Sequence, residues 1–305
     1  MAERKDLIIL GAGPAGLTAS IYASRFKIDH LVLGEEPGGY MNESHKIENY
    51  PGIPSIAGTE LGQKMREHAE SLGSLISQEK ISSLSSNKEG LFSIKTRKET
   101  HFAKKVILAT GTVFRKLNVP GEDELAGKGV SYCATCDAPF FKDKKVAVVG
   151  GGNSALGAAM LLSQYAREVV IFYRADKLRA VPAYIEQTKK RGNIKTAPET
   201  NVTQIKGTNK VEQLALDNEY EKEREPSFDG IFIEIGSVPD TGYLENLEIE
   251  KDERGYIKTK ADQLTSVQSL YAAGDITTNS NGFRQIITAA SEGAIAANAV
   301  YQELN

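Results

Sequence analysis

The sequence predicts an α/β protein built from two Rossmann-like dinucleotide-binding domains, the second inserted in the first. Three observations predict this. A glycine-rich turn, Gly11-Ala12-Gly13-Pro14-Ala15-Gly16, follows a short apolar run. A second, Gly150-Gly151-Gly152-Asn153-Ser154-Ala155, follows another apolar run about 140 residues later. A tail opening at Leu270 comes after the second unit is complete, and it reads as a return to the first domain rather than the start of a third.

The elements follow in order. Leu7-Ile8-Ile9-Leu10 is a continuous apolar run of the kind that forms a buried parallel strand. The chain turns at 11–16 and continues as a helix over 17–24. Leu31-Val32-Leu33 is the next strand, which completes a βαβ unit. Over 60–72, Leu61, Met65, Ala69 and Leu72 make a helical stripe. Residues 91–96 alternate as a strand, and Val106-Ile107-Leu108-Ala109-Thr110-Gly111 is a buried strand ending in a glycine turn. The pattern then restarts with a strand at Val146-Ala147-Val148-Val149, a turn at 150–152, a helix over 155–165 and a strand over Glu168–Tyr173. Shorter strands are predicted at Gln213–Leu216 and 230–235. The tail holds a strand ending Tyr271-Ala272-Ala273-Gly274-Asp275 and an alanine-rich helix over 282–304. Proline and glycine interrupt the periodic segments at 115–120 and 239–242. The predicted domains are therefore 1–115 with 242–305, and 116–241.

The bulk numbers set limits. A chain of 305 residues, 40% apolar and 25% charged, has the length for two buried cores. A formal charge of −3 gives no reason to expect nucleic acid as a partner. The start, Met1-Ala2-Glu3-Arg4-Lys5, lacks the apolar region of a signal peptide, and no apolar run reaches the ~18 residues of a membrane span. A cytoplasmic location is the expectation. There, a C-x-x-C pair points to catalysis or metal binding rather than to a structural disulfide.

The first glycine turn has the spacing that lets backbone approach a pyrophosphate at a helix N-terminus. A carboxylate is expected near the end of the second strand to hold a ribose. Glu35 and Glu36 stand one step beyond Leu33-Gly34. The second turn carries Gly150, Gly152 and Ala155 at the same offsets. Its following strand ends in Tyr173-Arg174, where arginine suits a ribose 2′-phosphate better than a free diol. Arg174 and Arg179 are thus either phosphate ligands or solvated surface residues.

Cys133 and Cys136 are the only two cysteines, in the run Cys133-Ala134-Thr135-Cys136-Asp137. In such a turn one thiol stabilises the other as thiolate, so the pair cycles between dithiol and disulfide. Asp137 is placed to serve as acid/base for a leaving thiolate. A zinc half-site and two inert thiols are the other readings. Zinc needs more ligands than two cysteines supply, and His30, His45, His68 and His101 show no ligand spacing. No metal is expected.

Together these residues resemble the low-molecular-weight thioredoxin reductases, homodimeric FAD enzymes of the pyridine nucleotide-disulfide oxidoreductase class. The resemblance runs nearly end to end. It rests on both glycine turns, Gly38-Gly39, Glu48-Asn49-Tyr50-Pro51-Gly52, Ala109-Thr110-Gly111, the cysteine run, Tyr271-Ala272-Ala273-Gly274-Asp275 and Arg284-Gln285. It implies an FAD site drawn from Gly11, Gly13, Pro14, Ala15, Gly16, Glu35, Glu36, Gly38, Gly39, Tyr40, Asn49, Ala109, Thr110, Gly111, Gly274, Asp275, Arg284, Gln285 and Ile286. It implies an NADPH site at Gly150, Gly152, Asn153, Ser154, Ala155, Arg174 and Arg179. Cys136 would face the flavin, Cys133 would attack the disulfide of a thioredoxin-like protein, and Asp137 would be the acid/base. The insertion of the nicotinamide domain into the FAD domain is also the family's arrangement.

Four positions depart from the family pattern. Tyr40 replaces a glutamine, Gly157 and Ala158 replace two glutamates, and Ala175 replaces an arginine. Tyr40 removes one expected flavin contact, and the other three weaken the expected NADPH site and leave room for NADH or another donor. The function expected is disulfide reduction by NADPH through FAD. The alternatives are the same reductase fed by ferredoxin or a deazaflavin, and a flavin-binding redox sensor with slow turnover.

Overall fold

The computed structural model describes residues 4–44, 47–87 and 89–305. His45, one of the four histidines considered above, and the first three residues of the amino-terminal run lie outside the described residues. The chain divides into two compact units, Met1–Val113 with Val238–Asn305, and Phe114–Ser237.

The first unit begins with β1 (Arg4–Leu10), α1 (Pro14–Arg25), β2 (His30–Leu33), α2 (Gly58–Ser71) and β3 (Leu75–Ser77). Then come β4 (Ile81–Ser86), β5 (Phe92–Thr96), β6 (Thr100–Leu108) and β7 (Thr112–Phe114). Strand β1 is central because it is apolar on both faces. Leu7 and Ile9 pack into a core with Leu17 and Ala19 of α1, while Ile8 and Leu10 pack oppositely with Leu84, Phe92 and Ile94. A strand buried on both faces reads as a continuous apolar run rather than as an alternation.

The second unit contains β8 (Val130–Ser131), α3 (Ala134–Asp137), β9 (Lys145–Val149), α4 (Asn153–Leu162), β10 (Glu168–Tyr173), α5 (Pro182–Lys189) and β11 (Ile194–Pro198). It continues with β12 (Val202–Lys206), β13 (Gln213–Leu216) and β14 (Gly230–Ile233). Its sheet runs β11-β10-β9-β14-β8, all parallel, and β12 and β13 form a separate antiparallel pair.

The tail supplies β15 (Ser237–Pro239), which pairs with β7, then β16 (Leu270–Ala272) and α6 (Ile286–Leu304). Strand β16 lies parallel to β6, with Tyr271 opposite Ile107, so the tail rejoins the first sheet. That sheet runs β3-β2-β1-β6-β5-β4, with β16 on β6.

Several boundaries differ from the sequence reading. The tail helix starts at Ile286 rather than at 282, because Gln285 and Thr288 close a reciprocal capping box there. Strand β14 ends at Ile233 rather than at the predicted 235. The β4–β5–β6 meander was only partly legible. Strand β4 reads Ile-Ser-Ser-Leu-Ser-Ser and buries Leu84 alone, so its alternation is weak. Helix α5, opened by Pro182, buries only Thr188 and carries almost no apolar stripe.

Candidate functional site

The first glycine turn is shaped by close backbone approach. Gly11 has φ +112°, and a β-carbon there would stand 2.2 Å from the Ala109 carbonyl oxygen. No side chain fits. Gly13 is different. A β-carbon on it would meet nothing within 4 Å, so the space before the α1 N-terminus is open. Pro14 takes the first helical turn, where its missing N–H costs nothing, and no acidic residue or side-chain cap fills that end.

The Gly38-Gly39 segment closes over this turn. The Gly38 amide donates to the Ala12 carbonyl at 2.8 Å, and a β-carbon on Gly39 would stand 3.2 Å from Gly13 Cα. Tyr40 is exposed. Glu35 and Glu36 turn to the surface, where Glu35 pairs with Lys80 at 3.1 Å and Glu36 accepts from Asn42 at 3.1 Å. Thr110 Oγ1 donates to the Asp240 carbonyl at 3.1 Å and lies 2.9 Å from the Tyr243 hydroxyl, and the Asp240 amide donates to Gly111 at 3.1 Å.

The tail residues meet the first unit beside that turn. Asn49 Nδ2 donates to Gln285 Oε1 at 2.7 Å. Arg284 Nε donates to the Asp275 carbonyl at 3.2 Å, and its guanidinium lies 3.8 Å from the Tyr256 ring centre. Ile286 begins α6 next to them. Burial pushes the Asp275 carboxyl up to about 6, partly offset by Arg284 and reinforced by Glu292. Sequence reasoning missed Glu292. Buried on α6, it accepts from the Gly274 amide at 2.8 Å, from Thr277 Oγ1 at 3.1 Å and from Ser280 Oγ at 2.5 Å. It fixes the turn that carries Asp275. An acid inside an alanine-rich helix gives no motif, and its role depends on a partner 18 positions away.

In the second unit, Gly150-Gly151-Gly152 repeats the arrangement. A β-carbon on Gly152 would again meet nothing within 4 Å, and the α4 N-terminus has neither cap nor acid. Ala155 is fully buried, while Asn153 and Ser154 are exposed at the helix start. Asn153 Oδ1 accepts from the Val181 amide at 2.8 Å, and the Arg179 amide donates to the Gly151 carbonyl at 2.7 Å. The loop carrying Arg174 and Arg179 is thereby tied to the glycine turn. Both guanidiniums are exposed, and no ion pair engages either among the described residues. Both cradles fit a dinucleotide, since each offers helix amides to a pyrophosphate and room that a side chain would fill. The carboxylates missing at Gly157 and Ala158 leave Tyr184 as the nearest side chain to Gly157.

Cys133 and Cys136 form a disulfide in the same unit. Cys133 is the N-cap of α3, and the Cys136 amide donates to Cys133 Sγ at 3.1 Å. Ser131 Oγ accepts from the Cys133 amide at 3.1 Å. Cys136 is exposed, whereas Cys133 and Asp137 are half-buried. An amide donated to sulfur at a helix start favours a thiolate there. Elsewhere, the ligand atoms of Glu79, Glu99 and His101 lie within 4.8 Å of one another, a spatial grouping that histidine spacing did not reveal. Glu79 is already occupied by Ser77 Oγ at 2.6 Å and Thr96 Oγ1 at 2.5 Å.

The family described as pyridine nucleotide-disulphide oxidoreductase matches residues 5–293. The chain belongs to this family. A thioredoxin reductase of Bacillus subtilis is 42% identical over 305 residues, covering 98% of this chain and 95% of that protein. One of Treponema pallidum is 41% identical over 297 residues, covering 96% and 95%. The crystal structure of Lactococcus lactis thioredoxin reductase superposes with a TM-score of 0.91 at 37% identity, covering 98% of each chain. As a pyridine nucleotide-disulphide oxidoreductase the protein uses FAD and a nicotinamide cofactor, and its two glycine cradles are the places that suit them. Among the described residues, no helix is long and apolar enough to cross a membrane.

Proposed function

We propose that the protein is a thioredoxin-disulfide reductase, passing electrons from NADPH through FAD and the Cys133–Cys136 pair to a thioredoxin-like protein. The observation that carries this is the disulfide at the start of α3, in the same unit as a second open glycine cradle. The full-length likeness to thioredoxin reductases supports it. That likeness favours neither a different donor nor a redox sensor.

The residues divide the work as follows. Gly11, Gly13 and the α1 amides hold one pyrophosphate, and Asp275, Arg284, Gln285 and Asn49 line the remainder of that cofactor. Gly150, Gly152 and the α4 amides hold the other, with Arg174 and Arg179 meeting its 2′-phosphate. A bound FAD would supply two-electron transfer between the nicotinamide and the Cys133–Cys136 disulfide. The reduced pair then acts through its own atoms. Cys133 thiolate attacks one sulfur of the partner's disulfide, forming a mixed disulfide and expelling a partner thiolate, which takes a proton from Asp137. Cys136 thiolate then attacks Cys133 Sγ, releases the second partner sulfur and re-forms the intramolecular disulfide. Two electrons enter and two leave.

A homodimer fits this reading, and exposed apolar side chains on the first unit's helices, Tyr22, Ile287, Ile295 and Tyr301, support it. A cytoplasmic location also fits, because a cycling dithiol works where thiols are kept reduced. Steady-state oxidation of NADPH in the presence of an oxidised thioredoxin tests the reading. Turnover that requires both the thioredoxin and Cys133 is expected. Flavin reduction without any disulfide turnover would refute it.

A further inference from the structure

Glu234 has no place in the scheme above, yet it stands where two functional loops come together. Strand β14 lies between β9 and β8. Ile233 is opposite Val149, the last residue before the Gly150 turn, and Phe232 is opposite Ser131, two residues before Cys133. The Glu234 amide continues that ladder, donating to the Val149 carbonyl at 2.8 Å. Its own carbonyl oxygen is 2.2 Å from where a Gly150 β-carbon would be. Glu234 therefore sits at the carboxyl end of a central parallel strand, against the glycine turn. In sheets of this type ligands lie just beyond those strand ends.

The side chain's face follows from alternation. Ile231 and Ile233 pack into one core of the unit, and Phe232 packs into the other with Ala134, Ala138, Ala155 and Leu156. Glu234 shares the Phe232 face, which is the face of α3 and α4. The carboxyl is half-buried there, and among the described residues it has no hydrogen-bond or ion-pair partner. Helix α4 and the Gly150–Gly152 turn carry no titratable side chain. Charged residues on the adjoining segments include Asp137 on α3 and Arg115, whose amide donates to the Gly236 carbonyl at 2.9 Å. Neither contributes to the shift of Glu234, which burial alone pushes up to about 7. A bound pyrophosphate would add negative charge beside a carboxyl already poised to take a proton.

We propose that Glu234 is a ligand-binding residue of the second glycine cradle, which takes up a proton when a dinucleotide binds and holds it as a hydrogen-bond donor to that dinucleotide. The proposal rests on the reading of the Gly150–Gly152 turn as a nucleotide site. Dinucleotide affinity is then coupled to pH near neutrality, and the oxidoreductase binds its donor more weakly as the solution becomes alkaline.

Calorimetric titration of the flavin-loaded protein with NADP+ tests this, because the oxidised nucleotide keeps electron transfer out of the measurement. Titrations at pH 7.5 in phosphate and in Tris, whose ionisation enthalpies differ, give the number of protons taken up. The 2′-phosphate also titrates, so the readout is the difference between wild type and Glu234→Gln, which keeps a donor but cannot ionise. The expected difference is about three-quarters of a proton at pH 7.5, from a free carboxyl titrating at about 7. Between pH 6 and pH 8 the wild-type Kd should rise about tenfold more than that of Glu234→Gln. Glu234→Ala gives the same comparison if the glutamine variant fails to fold, and it should bind more weakly than wild type at pH 6. Equal proton uptake and equal pH slopes in wild type and variants would overturn the proposal. Absence of NADP+ and NAD+ binding to every form from pH 6 to pH 8 would instead overturn the nucleotide reading of the turn itself.

Discussion

Asn49 donates a hydrogen bond to Gln285 at 2.7 Å, across 236 positions of sequence. Gln285 also caps α6 and donates through Nε2 to the Arg284 carbonyl at 2.7 Å. One amide side chain thus links the loop after β2 to the start of the tail helix. Both ends of the chain contribute to the proposed FAD site, and neither is complete without the other.

The purified protein should be yellow. With no tryptophan in the chain, flavin and tyrosine should dominate its absorbance and emission. Gly13→Val should lower the flavin-to-protein ratio at least severalfold while leaving the circular dichroism unchanged, because its side chain enters open cradle space. Gly11→Val should instead damage the fold, since its β-carbon would press into the Ala109 carbonyl. Absorbance ratios and melting curves distinguish the two.

The two cysteines should have different phenotypes. Cys133→Ser should leave Cys136 free beside the flavin and produce a long-wavelength charge-transfer band at alkaline pH. Cys136→Ser should lack the band. Both should lose thioredoxin reduction to background while the donor still reduces the flavin. Identical spectra for the two variants would contradict the assigned order of the thiols.

Donor preference should follow the arginines. A charge-assisted contact to phosphate is worth about 1.5–3 kcal/mol, or roughly ten- to a hundredfold in affinity. Arg174→Ala should narrow the preference for NADPH over NADH by a factor in that range, and Ala175→Arg should widen it. Stopped-flow flavin reduction with each nucleotide measures both.

Glu292→Ala should destabilise the first unit. It strands the buried Gly274 amide and removes one acceptor from Thr277 and Ser280, at a cost of about 1–3 kcal/mol. Glu292→Gln should cost less, because it keeps an acceptor. Denaturant midpoints give the ranking, and flavin retention should fall in the same order, since Gly274 precedes Asp275.

Acid should weaken the fold through His30. Burial lowers its pKa below the ordinary 6.5, and its ring lies 2.9 Å from the Ile28 carbonyl and 3.0 Å from Ser20 Oγ. The unfolded chain binds the proton more readily. Stability is therefore full above pH 6.5 and declines as pH falls below it, until the folded form protonates too. The loss of melting temperature between pH 7.5 and pH 5.5 should be smaller in His30→Gln than in wild type.

Local pattern determined much of this protein. Continuous apolar runs such as Leu7-Ile8-Ile9-Leu10 specify strands buried on both faces. Gly11, Gly150 and their following helices specify the two cradles, and Cys133 and Cys136 specify the redox pair. Each signal lies within a few residues because backbone conformation and burial are set locally there. Strand β4 and helix α5 escaped because each buries one residue and leaves almost no period to read. Only the tertiary structure decided the rest. Glu292 is one acid among alanines until Gly274, Thr277 and Ser280 converge on it. Glu35 and Glu36 are two adjacent acids in sequence, and only folding sets them beside Lys80 and Asn42. Glu234 is an ordinary strand-end residue until folding sets it against the Gly150 turn and partly desolvates it. Side-chain chemistry can be read from one chain segment, but the desolvation and partners that tune it come from segments brought together by folding.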